Sequence, residues 1–147
     1  MKSIIICVST HHGNTRKVVD AIAKEFGVEV VDATKVKEKD LSGYDLIGLA
    51  SGIYAARFHE DLAAFAKKNL PQGKKIFYIM TSAMNRDFSK SMDSLLKEKN
   101  PTVVGRFTCR GYNTFGPFKL VGGTGKGHPD EMDLKNAVEF YRGLITA

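Results

Sequence analysis

With only two cysteines, the chain has no disulfide framework and fits a reducing compartment. It has no apolar run near the roughly 20 residues of a membrane helix. The N-terminal apolar run is too short for a secretory leader and passes straight into a polar loop, so a cytoplasmic setting is expected. Internal repeats and low-complexity segments are missing, which excludes solenoids and linker-rich proteins. What remains is a composition of 43% hydrophobic and 26% charged residues over 147 positions, enough for one domain spanning 1–147 with a useful core. The net charge of +6 would suit nucleic acid, an acidic partner or an anionic small molecule. The lysines are scattered, however, and read mainly as solvated faces.

The most informative stretch is Ser9-Thr10-His11-His12-Gly13-Asn14-Thr15. The apolar run Ser3 to Val8 before it reads as a buried parallel strand. After it, Val18, Val19, Ile22, Ala23 and Phe26 recur at helical spacing. A strand-to-helix turn of this kind presents free backbone N–H groups at the positive end of a helix, where an anion is favoured. Hydroxyls of Ser9, Thr10 and Thr15 and the Asn14 amide add donors, and Gly13 allows close approach. The expectation is a phosphate cradle without a lysine. The turn lacks the Gly-x-Gly-x-x-Gly of a dinucleotide fold and the Gly-Lys-Ser/Thr of a nucleotide hydrolase. It also lacks the acidic residues that a phosphoacceptor receiver domain needs.

Further along, Val28–Asp32, Asp45–Ala50, Lys75–Met80 and Thr102–Cys109 read as strands. Residues 33–44 are polar and show no strong helix, and Ile53–Phe58 reads as a loop. Helices are expected from about His59 to Leu70, from Phe88 to Lys99, and after Asp130. The last would bury Leu134, Ala137, Val138, Tyr141, Leu144 and Ile145. A glycine-rich loop, Arg110 to Pro129, precedes it, where Phe115, Phe118 and Leu120 either plug the core or form a docking patch. Five alternations of strand and helix imply a doubly wound α/β domain, with ligands at the carboxyl ends of the strands.

The phosphate-loop pattern of flavodoxins, Ser/Thr-x-Thr-Gly-Asn-Thr, resembles Ser9 to Thr15, with Gly13-Asn14-Thr15 matching outright. The resemblance extends over all five units. It implies a flavodoxin-like three-layer α/β sandwich, a five-stranded parallel sheet in order 2-1-3-4-5, and FMN as cofactor. Ser9, Thr10, His11, His12, Gly13, Asn14 and Thr15 would hold the phosphate. Ser51, Gly52, Ile53 and Tyr54 would line one side of the isoalloxazine, and Thr81, Ser82, Ala83 and Met84 another. Cys109, Arg110 and Gly111 would approach its pyrimidine edge. Tryptophan, a common flavin stacker in the family, is absent, and Tyr54 stands in for it. The segment Ala50 to His59 is also similar to the flavodoxin-like protoporphyrinogen oxidases.

The function implied is a low-potential electron carrier between redox proteins, a reductase and an acceptor, with no nucleic acid and no membrane span. The alternative is an FMN-dependent oxidoreductase acting on a small molecule, quinone reductase or protoporphyrinogen-oxidase-like. Family members are usually acidic; this basic chain points instead to partners with acidic docking surfaces. Arg57, Arg86 and Arg110 would raise the flavin potential above that of acidic relatives. His11 and His12 read as phosphate donors rather than metal ligands, since no ligand cluster accompanies them.

Overall fold

The computed structural model describes residues 1–10, 12–111 and 127–147. The candidate His11 and most of the glycine-rich loop, with Phe115, Phe118 and Leu120, lie outside the described residues. The elements follow as β1 (Ser3–Val8), α1 (Asn14–Phe26), β2 (Glu29–Asp32), β3 (Leu46–Tyr54), β4 (Arg57–Phe58), α2 (Glu60–Asn69), β5 (Lys75–Ser82), α3 (Lys90–Leu95), β6 (Thr102–Arg110) and α4 (Glu131–Thr146). The main sheet is parallel in the order β2-β1-β3-β5-β6, with the two-residue β4 paired antiparallel to the end of β3. Setting β4 aside, this is the expected five-strand order.

The central strands bury both faces, which is why they read as continuous apolar runs. Ile4, Ile6 and Val8 of β1 face one layer with Leu62, Phe65 and Tyr78. Ile5 and Cys7 face the other with Val18, Ile22, Phe77 and Tyr141. Helix α1 stops at Gly27, whose φ of 66° is the left-handed cap that glycine adopts without strain. Helix α4 opens on a reciprocal capping box between Asp130 and Asp133. Its core face includes Phe140, which the periodicity reading left out. Among the described residues no helix is long and apolar enough to cross a membrane.

Two expectations need correction. Ile53–Phe58 is not a loop. Strand β3 continues through Tyr54, turns at Ala55 and Ala56, and returns as β4, with Ile53 opposite Phe58 and Tyr54 opposite Arg57. Both alanines are left-handed, at φ 50° and 62°. That pairing suits a two-residue hairpin but is normally made by Asn-Gly, so the usual composition signal was missing. The second correction concerns Phe88–Lys99, which is not one helix. It forms the short α3, then a 3₁₀ turn at Lys97–Lys99. A polar network holds the segment instead of helical packing alone. Tyr78 donates its hydroxyl to Asp93 at 2.9 Å, Arg106 pairs with Asp93 at 2.9 Å and also reaches Ser89, and Ser89 donates to Asp87 at 2.6 Å.

Candidate functional site

Parallel pairing brings the carboxyl ends of β1, β3, β5 and β6 to one edge. The register places Val8 beside Ser51, Gly52 beside Thr81, and Thr81 beside Cys109. Here the character of the interior changes. Six polar residues are buried among the described ones, and five of them, Asn14, Thr15, Ser51, Thr81 and Ser82, sit at this edge. Burying polar atoms costs free energy unless each finds a partner.

Most of them do. Thr15 and Thr81 share a hydrogen bond between their hydroxyls, Oγ1 to Oγ1, at 2.8 Å, tying the start of α1 to the end of β5. Ser51 accepts from the His59 N–H at 2.9 Å, closing the hairpin onto α2. Gly111 donates its N–H to the Ser82 carbonyl at 3.0 Å. A Cβ at Gly111 would stand 2.6 Å from the Asn14 amide nitrogen, so the backbone there must be glycine for the two to meet. The Ser82 hydroxyl is buried with no partner among the described residues. An orphaned donor in a native interior points to a group that arrives from outside.

The loop between β1 and α1 carries the candidate phosphate residues. His12 and Gly13 are both left-handed, at φ 56° and 65°, which turns the chain sharply into α1. Gly13 provides no capping side chain, and the Ser9 hydroxyl accepts the Arg16 N–H at 3.0 Å. Thr10 lies exposed, and its hydroxyl shares a 2.7 Å hydrogen bond with the Tyr54 hydroxyl. The Tyr54 ring is the lid of this region. It packs over Gly52, where a Cβ would stand 3.2 Å from its hydroxyl, and meets the edge of His59 with centroids 5.3 Å apart. His59 itself caps α2 by accepting the Asp61 N–H on Nδ1 at 3.0 Å.

The remaining candidates fall around this centre. Ile53 and Ala83 are half-buried, Met84 is 61% exposed at the tip of the loop after β5, and Arg110 is exposed at the end of β6. Cys109 is buried, and burial, with the nearby Asp133 and Asp130, pushes its thiol up to about 12. Cys7, below the cradle, is likewise pushed up to about 12, first by burial. Neither thiol is a nucleophile at neutral pH. A cleft of about 370 Å³ opens beside Tyr54, lined also by Arg57, Phe58, His59 and Glu60. Sequence reasoning did not foresee the Arg106 network. Its only local signal was Asp87-Phe88-Ser89, an Asp two residues before a Ser, whose hydroxyl and N–H both bond back to Asp87. Burial opposes ionisation of Asp87, but these two bonds and the Arg106 charge hold its carboxyl below the usual range.

Comparisons with known proteins bear on the family and the fold. Residues 5–115 match the model of a flavodoxin domain family, and the chain belongs to that family. An uncharacterised protein of Methanocaldococcus jannaschii is 38% identical over 148 residues, covering 99% of each chain. Oxidised flavodoxin 1 from Bacillus cereus has the same fold with a TM-score of 0.69 at 17% identity, over 99% of this chain and 98% of that one. A Fusobacterium nucleatum flavodoxin bound to flavin mononucleotide superposes with a TM-score of 0.66 at 16% identity, over 99% and 96% of the two chains.

Proposed function

We propose that the chain is an FMN-binding flavodoxin that carries electrons at low potential between redox proteins, with the cofactor at the carboxyl edge of the sheet. The observation that carries this reading is the buried polar cluster there, with the unpartnered Ser82 hydroxyl at its centre. FMN, when bound, supplies the redox chemistry. The chain's residues bind and shield it. In this reading Ser9, Thr10, His11, His12, Gly13, Asn14 and Thr15 receive the phosphate through backbone N–H groups and hydroxyls. Ser82 supplies a hydrogen bond to a polar edge, beside Thr81 and Ala83, while Cys109, Arg110 and Gly111 flank it. Tyr54, with Ser51, Gly52 and Ile53, covers one face, and Met84 lies at the exposed rim. The cytoplasm, with its reducing conditions, suits a carrier whose two thiols are free and buried.

Fluorescence titration tests the cofactor. FMN emission should be quenched as purified protein is added, with a dissociation constant below about 1 μM. Unquenched emission at tens of micromolar protein rejects the reading.

A second reading draws on the cleft beside Tyr54. A volume of about 370 Å³ next to the proposed flavin position would admit a small organic substrate. On that reading the protein is an FMN-dependent oxidoreductase of quinone-reductase or protoporphyrinogen-oxidase type. Steady turnover of a quinone or a porphyrinogen by the FMN-loaded protein alone would favour it. Turnover only with an added reductase and acceptor protein favours the carrier.

A further inference from the structure

The arginines divide into two groups. Arg16 is paired with Asp20 at 2.8 Å, Arg106 with Asp93 at 2.9 Å, and Arg142 with Glu25 and Glu139 at 3.4 Å. The other three, Arg57, Arg86 and Arg110, have no ion pair among the described residues, and all three are exposed. They also share one location. Arg57 opens β4 just past the Tyr54 hairpin, Arg86 follows the tip of the loop after β5, and Arg110 pairs in register with Ser82 at the end of β6. All three lie at the carboxyl edge of the sheet, where the cofactor site is proposed, as does Met84, 61% exposed.

No carboxylate among the described residues forms an ion pair with these arginines, and Asp130 and Asp133 near Cys109 are engaged in the α4 cap and with His128. Asp87 is committed to Ser89, and Asp61 faces Lys37 at 3.9 Å. Glu60 shares the cleft with Arg57 without forming an ion pair. Arg86 stands over the Phe88 ring at 5.8 Å, which holds its guanidinium in place while leaving its donors available. Three unpaired guanidiniums on separate segments, around an exposed methionine, make a broad solvated surface rather than a closed pocket. Arginine and methionine are enriched at the cores of protein interfaces, and a guanidinium fork matches a carboxylate.

We infer that Arg57, Arg86 and Arg110, around Met84, form the docking rim for the carboxylate-bearing face of an acidic redox protein. This rests on the electron-carrier reading and its acidic partner, and adds the contact residues. The rim fixes orientation, because its charges lie at the edge where the cofactor is proposed, and it speeds encounter by steering.

The test uses the full chain, flavin-free and FMN-loaded, with an acidic plant-type ferredoxin and with basic cytochrome c as probes, by calorimetry. Ferredoxin should bind at about 20 mM salt and lose at least about tenfold in affinity by about 300 mM, whereas cytochrome c should not bind. Arg57→Glu/Arg86→Glu should weaken ferredoxin at least about tenfold at low salt. Arg57→Lys/Arg86→Lys should keep most of the affinity. Lys75→Glu/Lys97→Glu changes the net charge equally at the opposite end of the sheet and should have little effect. Equal losses in the two reversals would assign binding to net charge and overturn the rim, as would wild type ignoring ferredoxin. Citrate binding lost in the arginine reversal, with ferredoxin ignored, would make the rim a small-polycarboxylate site. A fall in FMN affinity with ferredoxin binding intact would assign these arginines to the cofactor. If wild type binds no FMN, the carrier reading fails, yet ferredoxin binding to the flavin-free chain still reports on the rim.

Discussion

The middle of the sheet and its carboxyl edge are built from the same strands, yet they follow opposite rules. In the middle, Ile4 to Ile6, Ile47 to Leu49 and Phe77 to Ile79 are dry, apolar and packed on both faces. Space there is fully used: Gly48 is small because a Cβ would stand 2.4 Å from the Phe77 ring. A few residues on, the same strands reach Ser51, Thr81 and Ser82, buried and polar, with the Ser82 hydroxyl left without a partner among the described residues. The middle is optimised for stability. The edge gives up stability for donors held ready, the pattern expected where local rules are broken for function. Strain follows the same division, since Ala55 and Ala56 hold left-handed backbones at the edge.

The contrast can be broken experimentally, beginning where the effect should be largest. Gly48→Ala overpacks the middle and should destabilise the flavin-free protein by about 3 kcal/mol in urea unfolding. A negligible loss would mean the Phe77 ring moves aside freely. Gly111→Ala at the edge should act differently, displacing Asn14 and weakening FMN at least about tenfold for a stability loss of about 1 kcal/mol. If stability drops as much as in Gly48→Ala, the edge is simply more core.

Ser82→Ala is the sharpest of the set because its two effects have opposite signs. Removing a buried orphan should stabilise the flavin-free protein by about 1 kcal/mol while weakening FMN about fivefold to tenfold. Lower stability without FMN would show that the hydroxyl is already satisfied. Ala56→Gly should relieve left-handed strain and, after the added chain entropy of glycine, gain about 0.5 kcal/mol, measured by thermal unfolding.

The last signal is a pH effect, absent near neutrality and seen only in alkali. Both thiols are pushed from 9.0 to about 12 by burial, so the folded protein holds protons that the unfolded chain releases above pH 9. Their contribution is complete below pH 9 and declines as pH rises toward 12. Cys7→Ala/Cys109→Ala should flatten that alkaline decline. Below pH 9 a thiol reagent should modify neither cysteine until the chain unfolds.

The alternation of apolar runs with amphipathic segments was enough to assign a doubly wound α/β domain, and the flavodoxin resemblance supplied its strand order. Each run is long, buried on both faces and bounded by turn residues, so local pattern and global fold agree. Gly13-Asn14-Thr15 between strand and helix likewise pointed to a candidate cradle, because an anion site at a helix start is a local device. Nothing local announced the Ala55–Ala56 hairpin, since its backbone departs from what alanine prefers and is imposed by β3, β4 and the Ser51–His59 bond. The Ser82 hydroxyl without a partner among the described residues and the tight meeting of Gly111 with Asn14 involve residues 29 and 97 positions apart. Among the arginine pairs Arg16–Asp20 is local, whereas Arg106–Asp93 and Arg142–Glu25 join separate elements. The sequence by itself determined which segments would become strands and where an anion could sit. Only the tertiary structure decided which polar groups lost water and which charges kept no partner, because desolvation and pairing belong to neighbours brought together across the sheet.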